Sequence, residues 1–390
     1  MLVNGERALA YPVVIEEIKP IPNYDRVEHA RTGGWWVIVR KDEFKVGDKA
    51  LYVEADSLVP STDKRFEFLE AKNYKVKTIK MCKVYSQGLL LPINEFPEIA
   101  DKKIHEDVTA LLNIKYYVTE DNTRKAKTNP NEKYNRMCAR NPKLAKKPWF
   151  KWFMKRSWGR KLLFVFFGRK NDNPKKFPEW IKKTDEDRIE NCTWMLDDKS
   201  PYVVTEKIDG TSLTAFIDLT GRKPDFGVCS RNVRQMDVDE ENFHSTITGT
   251  NVYWEQSIRL DMRHALEDIA KKHNAKRVVI QGEVYGDGIQ SNPLKIDHRD
   301  FAAFNLVIDT VRLGSLDARH ILAKYNIPFV PIVDDNYILP DQSEFEEFKK
   351  SADGKSVINN KCPREGFVYR SMDGQKSFKN VSRKWLLSHE

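Results

Sequence analysis

The chain has 390 residues, 66 of them Lys or Arg and 57 Asp or Glu, for a formal net charge of +9. That length exceeds one ordinary core and fits two or three domains, so a single small module is excluded. With 40% hydrophobic and 32% charged residues, the chain reads as soluble and globular rather than as an integral membrane protein, and its basic balance points to an anionic partner, nucleic acid or a membrane surface. Cys82, Cys138, Cys192, Cys229 and Cys362 are odd in number and far apart, which suggests neither a zinc site nor a disulfide framework. The opening residues, MLVNGERALAYP, lack the apolar core of a secretory signal, so the cytoplasm is the expected compartment.

Residues 1–112 carry five β-rich runs, YPVVIEEI, GWWVIVRK, KALYVEA, YKVKTIKM and SQGLLLPI, broken at Pro22-Asn23, Gly33-Gly34, Gly47-Asp48 and Pro60. Short strands at this spacing predict a small OB-type β-barrel. Trp35, Trp36, Lys41 and Lys45 supply the aromatic and cationic groups such a barrel uses on nucleic acid. Because barrel strands alternate in and out, each tryptophan reads equally well as a core residue.

Residues 113–175 form a basic, aromatic-rich linker. Between 122 and 170 there are sixteen Lys or Arg and one acid, Glu132, so this stretch is +15 and the rest of the chain is net acidic. Its middle, KKPWFKWFMKRSWGRKLLFVFFGRK, interleaves rings with cations, and Lys147, Lys151, Lys155 and Arg156 are candidate nucleic-acid contacts. Two other readings stay open: a helical hairpin packing its rings inward with a solvated basic face, and adhesion to a membrane interface. The apolar run Leu162–Phe167 is too short to span a bilayer.

Residues 176–390 alternate helical and extended patterns, as expected of an α+β domain with antiparallel sheets. Ile258, Met262, Ala265, Leu266 and Ile269 fall on one face of a helix, whereas RVVIQGEVYG, FAAFNLVID and REGFVYR read as buried strands.

Within this region Lys207-Ile208-Asp209-Gly210 is a K-x-D-G motif, a lysine at a strand end followed by a turn. Alone it is a weak signal. Downstream, in order, stand Ser230-Arg231-Asn232, Gln281-Gly282-Glu283, the strand around Phe304, Glu365-Gly366-Phe367-Val368 and Phe378-Lys379. This ordered array resembles motifs I, Ia, III, IIIa, IV and V of the covalent nucleotidyltransferases, the superfamily of DNA ligases, RNA ligases and capping enzymes. The finer resemblance is to RNA ligases of the branch typified by the Deinococcus and Naegleria enzymes, which place an OB domain ahead of the nucleotidyltransferase domain. It rests on Gly34-Trp35, KDEFKVGD from Lys41, Tyr52–Ser57, Ser86–Leu89, Thr184–Asn191 and Gly288–Pro293, and covers most of the chain outside about 115–175.

The resemblance implies that Lys207 is the nucleophile, forming a phosphoramide with AMP. A neutral amine is needed for that attack, so neighbouring cations, a metal or desolvation must lower its pKa. Arg231 and Lys379 are expected to stabilise phosphate charge, and Asp209, Glu283 and Glu365 to hold Mg²⁺ or Mn²⁺ directly or through waters. Glu206 is expected at the adenine pocket, together with Phe304, and Arg188 at a phosphate of the nucleic acid. Motif V usually carries two lysines as K-x-K, but Asn380 and Val381 follow Lys379; Lys376 and Lys384 are the candidate substitutes. No family role extends to the basic linker.

DNA ligases and capping enzymes carry an OB domain after motif V, for which the residues following Lys379 leave no room, and NAD-dependent ligases carry a zinc-binding cysteine cluster. The expectation is therefore an ATP-dependent RNA ligase joining 3′-OH and 5′-phosphate ends, with nicked RNA duplexes favoured over RNA/DNA hybrids and no protein partner implied. An ATP-dependent DNA ligase and a nucleic-acid-binding protein with a relic catalytic domain are the alternatives. The intact Lys207, Asp209, Glu283 and Glu365 speak against a relic.

Overall fold

The computed structural model describes the chain except residues 4–5, 118–136, 139–140, 168–175, 236–250 and 390. In chain order the main strands and helices are β1 (Ala10–Val14), β2 (Glu17–Ile21), β3 (Tyr24–Thr32), β4 (Trp35–Arg40), β5 (Lys49–Val53), β6 (Leu89–Pro92), α1 (Pro148–Met154), α2 (Ser157–Phe167), β7 (Pro201–Lys207), β8 (Thr211–Asp218), β9 (Asp225–Cys229), α3 (Val252–Arg259), α4 (Met262–Lys272), β10 (Arg277–Gly286), β11 (Arg299–Ile308), α5 (Ser315–Ala323), β12 (Ile332–Ile338), α6 (Phe345–Ser351), β13 (Gly366–Ser371), β14 (Ser377–Val381) and α7 (Arg383–His389). They gather into two compact units that do not follow chain order. The first combines Met1–Thr119 with Asp185–Ile208 and Pro331–Glu390; the second combines Glu120–Thr184 with Asp209–Val330.

In the first unit, β1 and β6 flank β5, and β2 and β4 flank β3, all antiparallel. Backbone hydrogen bonds from Ile15 to Asp48, Glu16 to Arg31 and Gln87 to Trp36 link the two sheets into an OB-type barrel. Four of the five expected runs contribute strands to these two sheets, while YKVKTIKM supplies two short ones, Lys75–Val76 and Ile79–Met81. The nine-residue strand β3, YDRVEHART, was not expected, because its charged residues hide the alternation that marks a strand. Trp35 is a core residue at 2% exposure. Trp36 points the other way, half-buried between the His29 ring and the Lys19 ammonium.

The rest of the first unit is a four-stranded antiparallel sheet in the order β12, β7, β13, β14. Its core packs Tyr202, Val204, Phe367, Tyr369 and Phe378 against Ile189, Leu196, Leu339 and Phe348.

The second unit is a five-stranded sheet in which β8, β10 and β11 are central, covered by α3, α4 and α5 through Leu213, Val278, Ile280, Phe301, Trp254, Leu266 and Leu322. The expected single helix is two. Asn251 caps α3 by accepting from the Tyr253 and Trp254 amides, and Asp261, left-handed at φ 45°, breaks the chain before α4. The apolar face survives the break, since Met262, Ala265, Leu266 and Ile269 are buried.

Candidate active site

Pairing in the first unit decides which motif residues meet. Thr205 stands opposite Val368 and Lys207 opposite Gly366, while Val368 in turn stands opposite Lys379. Side chains alternate across a strand, so this register puts Lys207 and Lys379 on one face of the sheet and Glu206 on the other. The Lys207 Nζ donates to the Glu365 carboxylate, 2.8 Å from each oxygen. The lysine keeps 27% of its side chain exposed, open to a reactant, while Glu365 keeps 10%.

Lys379 lies 3.2 Å from Asp185 with 14% of its side chain exposed. Burial pushes its ammonium pKa down against the pull of Asp185, and the charges of Lys207, Arg7 and Arg188 push it further. Lys379 thus feels the Lys207 charge across this face, while Lys207 is itself held by the Glu365 carboxylate.

The lead-in segment forms the edge of this site. The Lys379 amide donates to the Asp187 carbonyl, and Arg188 bridges Lys379 in parallel register. Arg188, 7% exposed, directs Nη2 to Asp56 at 3.1 Å and stands over the Trp35 ring. These two side-chain contacts are to the OB barrel. The position of a second motif V lysine is filled by Val381, buried with Trp385 and Leu386. Lys376 and Lys384 are engaged by Asp198 and Asp353; the cations that bear on Lys379 are Lys207, Arg7 and Arg188.

Glu206, 2% exposed, accepts from the Val357 amide at 2.6 Å. Burial raises its carboxyl pKa, opposed by hydrogen bonds from Ser356 and Val357 and by Arg364.

A network behind the lysines carried no assigned role in the sequence reading. Glu54, 1% exposed, accepts from Arg7 (2.8 Å), Tyr11 (2.9 Å) and Asn191 (3.0 Å), and Asn191 accepts from the Trp35 indole at 2.6 Å. Gly34 allows the closest approach: its amide donates to the Glu190 carbonyl, and a Cβ there would lie 2.5 Å from the Glu190 Cα. The motif Tyr52–Ser57 carried the only signal, a buried-type strand with an acid where an apolar residue belongs.

Burial works to raise the Glu54 carboxyl, but Arg7 and the Met1 amino group outweigh it and hold the pKa at about 2 instead of 4.5. A depressed carboxylate stabilises the fold fully above its unfolded pKa and loses that contribution as pH falls through the folded one. Acidification from about pH 5 toward 2 should thus remove up to about 3 kcal/mol through this group. Urea unfolding checks it: Glu54→Gln should start less stable at neutral pH and lose less than the parent on acidification.

The second unit places its own motif residues on β10, β11 and the turns flanking β8 and β9. Gly210 follows Asp209 where a Cβ would lie 2.2 Å from the Val284 carbonyl oxygen, so the K-x-D-G turn requires glycine there. Glu283 stands opposite Ser212 on β8 and Ala302 on β11. Gln281 pairs with Asn305 but Gly282 with Ala303, so Phe304 is the extra residue of a β-bulge. The bulge turns the half-buried Phe304 ring away from the regular alternation. Arg231 is exposed in the turn after β9, where the Ser230 amide donates to the Val233 carbonyl. Among the described residues no group of three or more His, Cys, Asp or Glu side chains is placed to hold a metal. A hard cation with one or two protein carboxylates, waters and substrate phosphates fits these residues better than an all-protein cage.

Lys147, Lys151 and Lys155 are exposed at and along α1, and the Arg156 guanidinium lies 3.6 Å from the centroid of the Trp152 ring. Of the other linker cations, Arg124, Lys125, Lys127, Lys133, Arg136, Arg140, Arg169 and Lys170 lie outside the described residues.

Two families match the chain: an OB-fold domain over residues 11–93 and RNA ligase over residues 200–386. Among solved structures it is similar to the Naegleria gruberi RNA ligase. A variant with ATP and Mn is 26% identical at a TM-score of 0.76, covering 98% of this chain and 99% of that one. The same enzyme with pyrophosphate is 26% identical at 0.74, with the same coverage. An apo variant is 26% identical at 0.75, covering 98% of both chains. No curated protein sequence matches the chain. Fold and motif order thus define a covalent nucleotidyltransferase with an N-terminal OB domain. Within that superfamily the chain belongs with the RNA ligases.

Proposed function

We propose that this RNA ligase is ATP-dependent, seals 3′-OH and 5′-phosphate RNA ends, nicks in duplexes above all, and works through a lysyl-AMP on Lys207. The observation that carries the reading is the common sheet face of Lys207 and Lys379, with Glu365 against the Lys207 amine. The similar enzyme's complexes with ATP and Mn and with AMP and Mn support the choice of nucleotide and of a divalent metal.

In the first step the neutral Lys207 amine attacks the α-phosphorus, an Nζ–P bond forms and the bond to pyrophosphate breaks. Lys379 bears on the phosphate charge that develops, and Arg231 is a second cation for the nucleotide. Phe304 is the ring proposed for the base, whereas Glu206, on the sheet face opposite Lys207 and bonded to the Val357 amide, acts through its backbone position rather than its carboxylate. Asp209, Glu283 and Glu365 are the carboxylates that would hold a divalent metal, which when bound would supply charge screening at the phosphates. In the second step a 5′-phosphate oxygen displaces Lys207 from AMP; in the third a 3′-hydroxyl attacks that 5′-phosphate and AMP departs.

Nicked RNA duplexes, nicked RNA/DNA hybrids and nicked DNA, each incubated with the protein, ATP and Mg²⁺, distinguish the substrates. Sealing is expected with RNA at the 3′-OH side of the nick and slow or absent with DNA there. Preferential sealing of all-DNA nicks would make the enzyme a DNA ligase.

A further inference from the structure

The linker helices present a surface that the ligase chemistry does not use. Met137, Phe150 and Leu163 are buried in a small core of the helical segment's own making. Gly159 lets α1 and α2 approach: a Cβ there would lie 2.3 Å from the Phe153 carbonyl oxygen. With that core satisfied, a second apolar face is left outside. Trp158, Leu162, Val165 and Phe166 recur at i, i+4, i+7 and i+8, one face of α2, and are 53%, 44%, 77% and 71% exposed. The Trp158 ring meets Trp152 of α1 at 6.1 Å, and Trp149 and Trp152 extend the patch at 45% and 48% exposure. Around it, residues 137–167 hold nine Lys or Arg and no Asp or Glu.

We infer that α1 and α2 dock on an anionic phospholipid surface, with the Trp158–Phe166 face in the interface and the cations at the headgroups. This reading stands independently of the ligase assignment. Exposed tryptophans flanked by lysines suit either stacked bases or lipid, but Leu162 and Val165 decide between them. Bases stack on rings and leave aliphatic side chains in water, whereas the headgroup–acyl boundary removes rings and aliphatics from water together. The absence of any acid between 137 and 167 complements the negative headgroup field. At seven and eleven residues, α1 and α2 are too short to span, so attachment is parallel to the surface.

The test is co-sedimentation of the full chain with phosphatidylcholine vesicles with and without phosphatidylserine. Binding is expected with phosphatidylserine, weaker without it, accompanied by a blue shift of tryptophan emission. Val165→Asp combined with Phe166→Asp should lower the partition coefficient at least about tenfold, with the thermal unfolding curve unchanged. Should that variant melt early, Lys161→Glu on the same helix carries the test, with about a tenfold loss at low salt that shrinks as salt rises. Equal partition of the parent and the folded variants would overturn the inference. So would failure of the parent to bind vesicles while the double variant loses affinity for single-stranded RNA, which would make the patch an RNA surface.

Discussion

Replacement of Lys207 by alanine is expected to lower covalent labelling of the protein by α-labelled ATP at least about a thousandfold, since the proposed mechanism forms the Nζ–P bond on this amine. Lys207→Arg should fail equally, because a guanidinium is not deprotonated and cannot attack. Sealing of RNA already carrying a 5′-adenylate bypasses that bond, so Lys207→Ala should retain most of this partial reaction. The pair of measurements separates loss of the nucleophile from loss of the fold. Labelling of Lys207→Ala at the parent's rate would move the nucleophile to another amine, and Lys379 on the same sheet face is the first to examine.

The second large effect is on stability. Lys349 and Glu190 form an ion pair at 2.7 Å with 1% of each side chain exposed, and Lys349 also donates to Asn380. Burial pulls the lysine pKa down to about 8 against the pull of Glu190. Lys349→Met leaves a buried carboxylate without its cation and should cost about 3–5 kcal/mol. Lys349→Met with Glu190→Leu removes both charges and should recover a large part of that loss, because the desolvation of the two ions is relieved together. Urea unfolding of the two variants measures the difference; a double variant no more stable than the single one would show that packing, not charge, sets the cost. Glu190 sits beside Gly34 of the barrel, so this pair also supports the segment that carries Arg188.

The strands RVVIQGEVYG and FAAFNLVID were legible because apolar runs bounded by turn residues mark buried strands wherever they pair. Helix α4 was legible from its periodicity, but the break at Asp261 was not, since a left-handed aspartate leaves no pattern in the sequence around it. Strand β3 was missed because hydrogen bonding to β2 and β4, rather than apolar alternation, makes it a strand. The bulge at Phe304 likewise depends on how two strands align, which neither strand encodes alone.

By itself the sequence determined the class, an RNA ligase, and marked the candidate chemistry: an ordered set of a lysine, its turn, carboxylates and a final lysine, each short and local enough to be read in a few residues. It also located the excess positive charge in one linker, because charge counts need no fold. Only the tertiary structure decided the partners. Lys207 meets Glu365 across 158 residues and Asn191 meets Glu54 across 137, separations over which no periodicity carries information. It likewise decided that the linker's rings split between a small core and an open face, a division set by which side of α2 packs on α1 and not by composition.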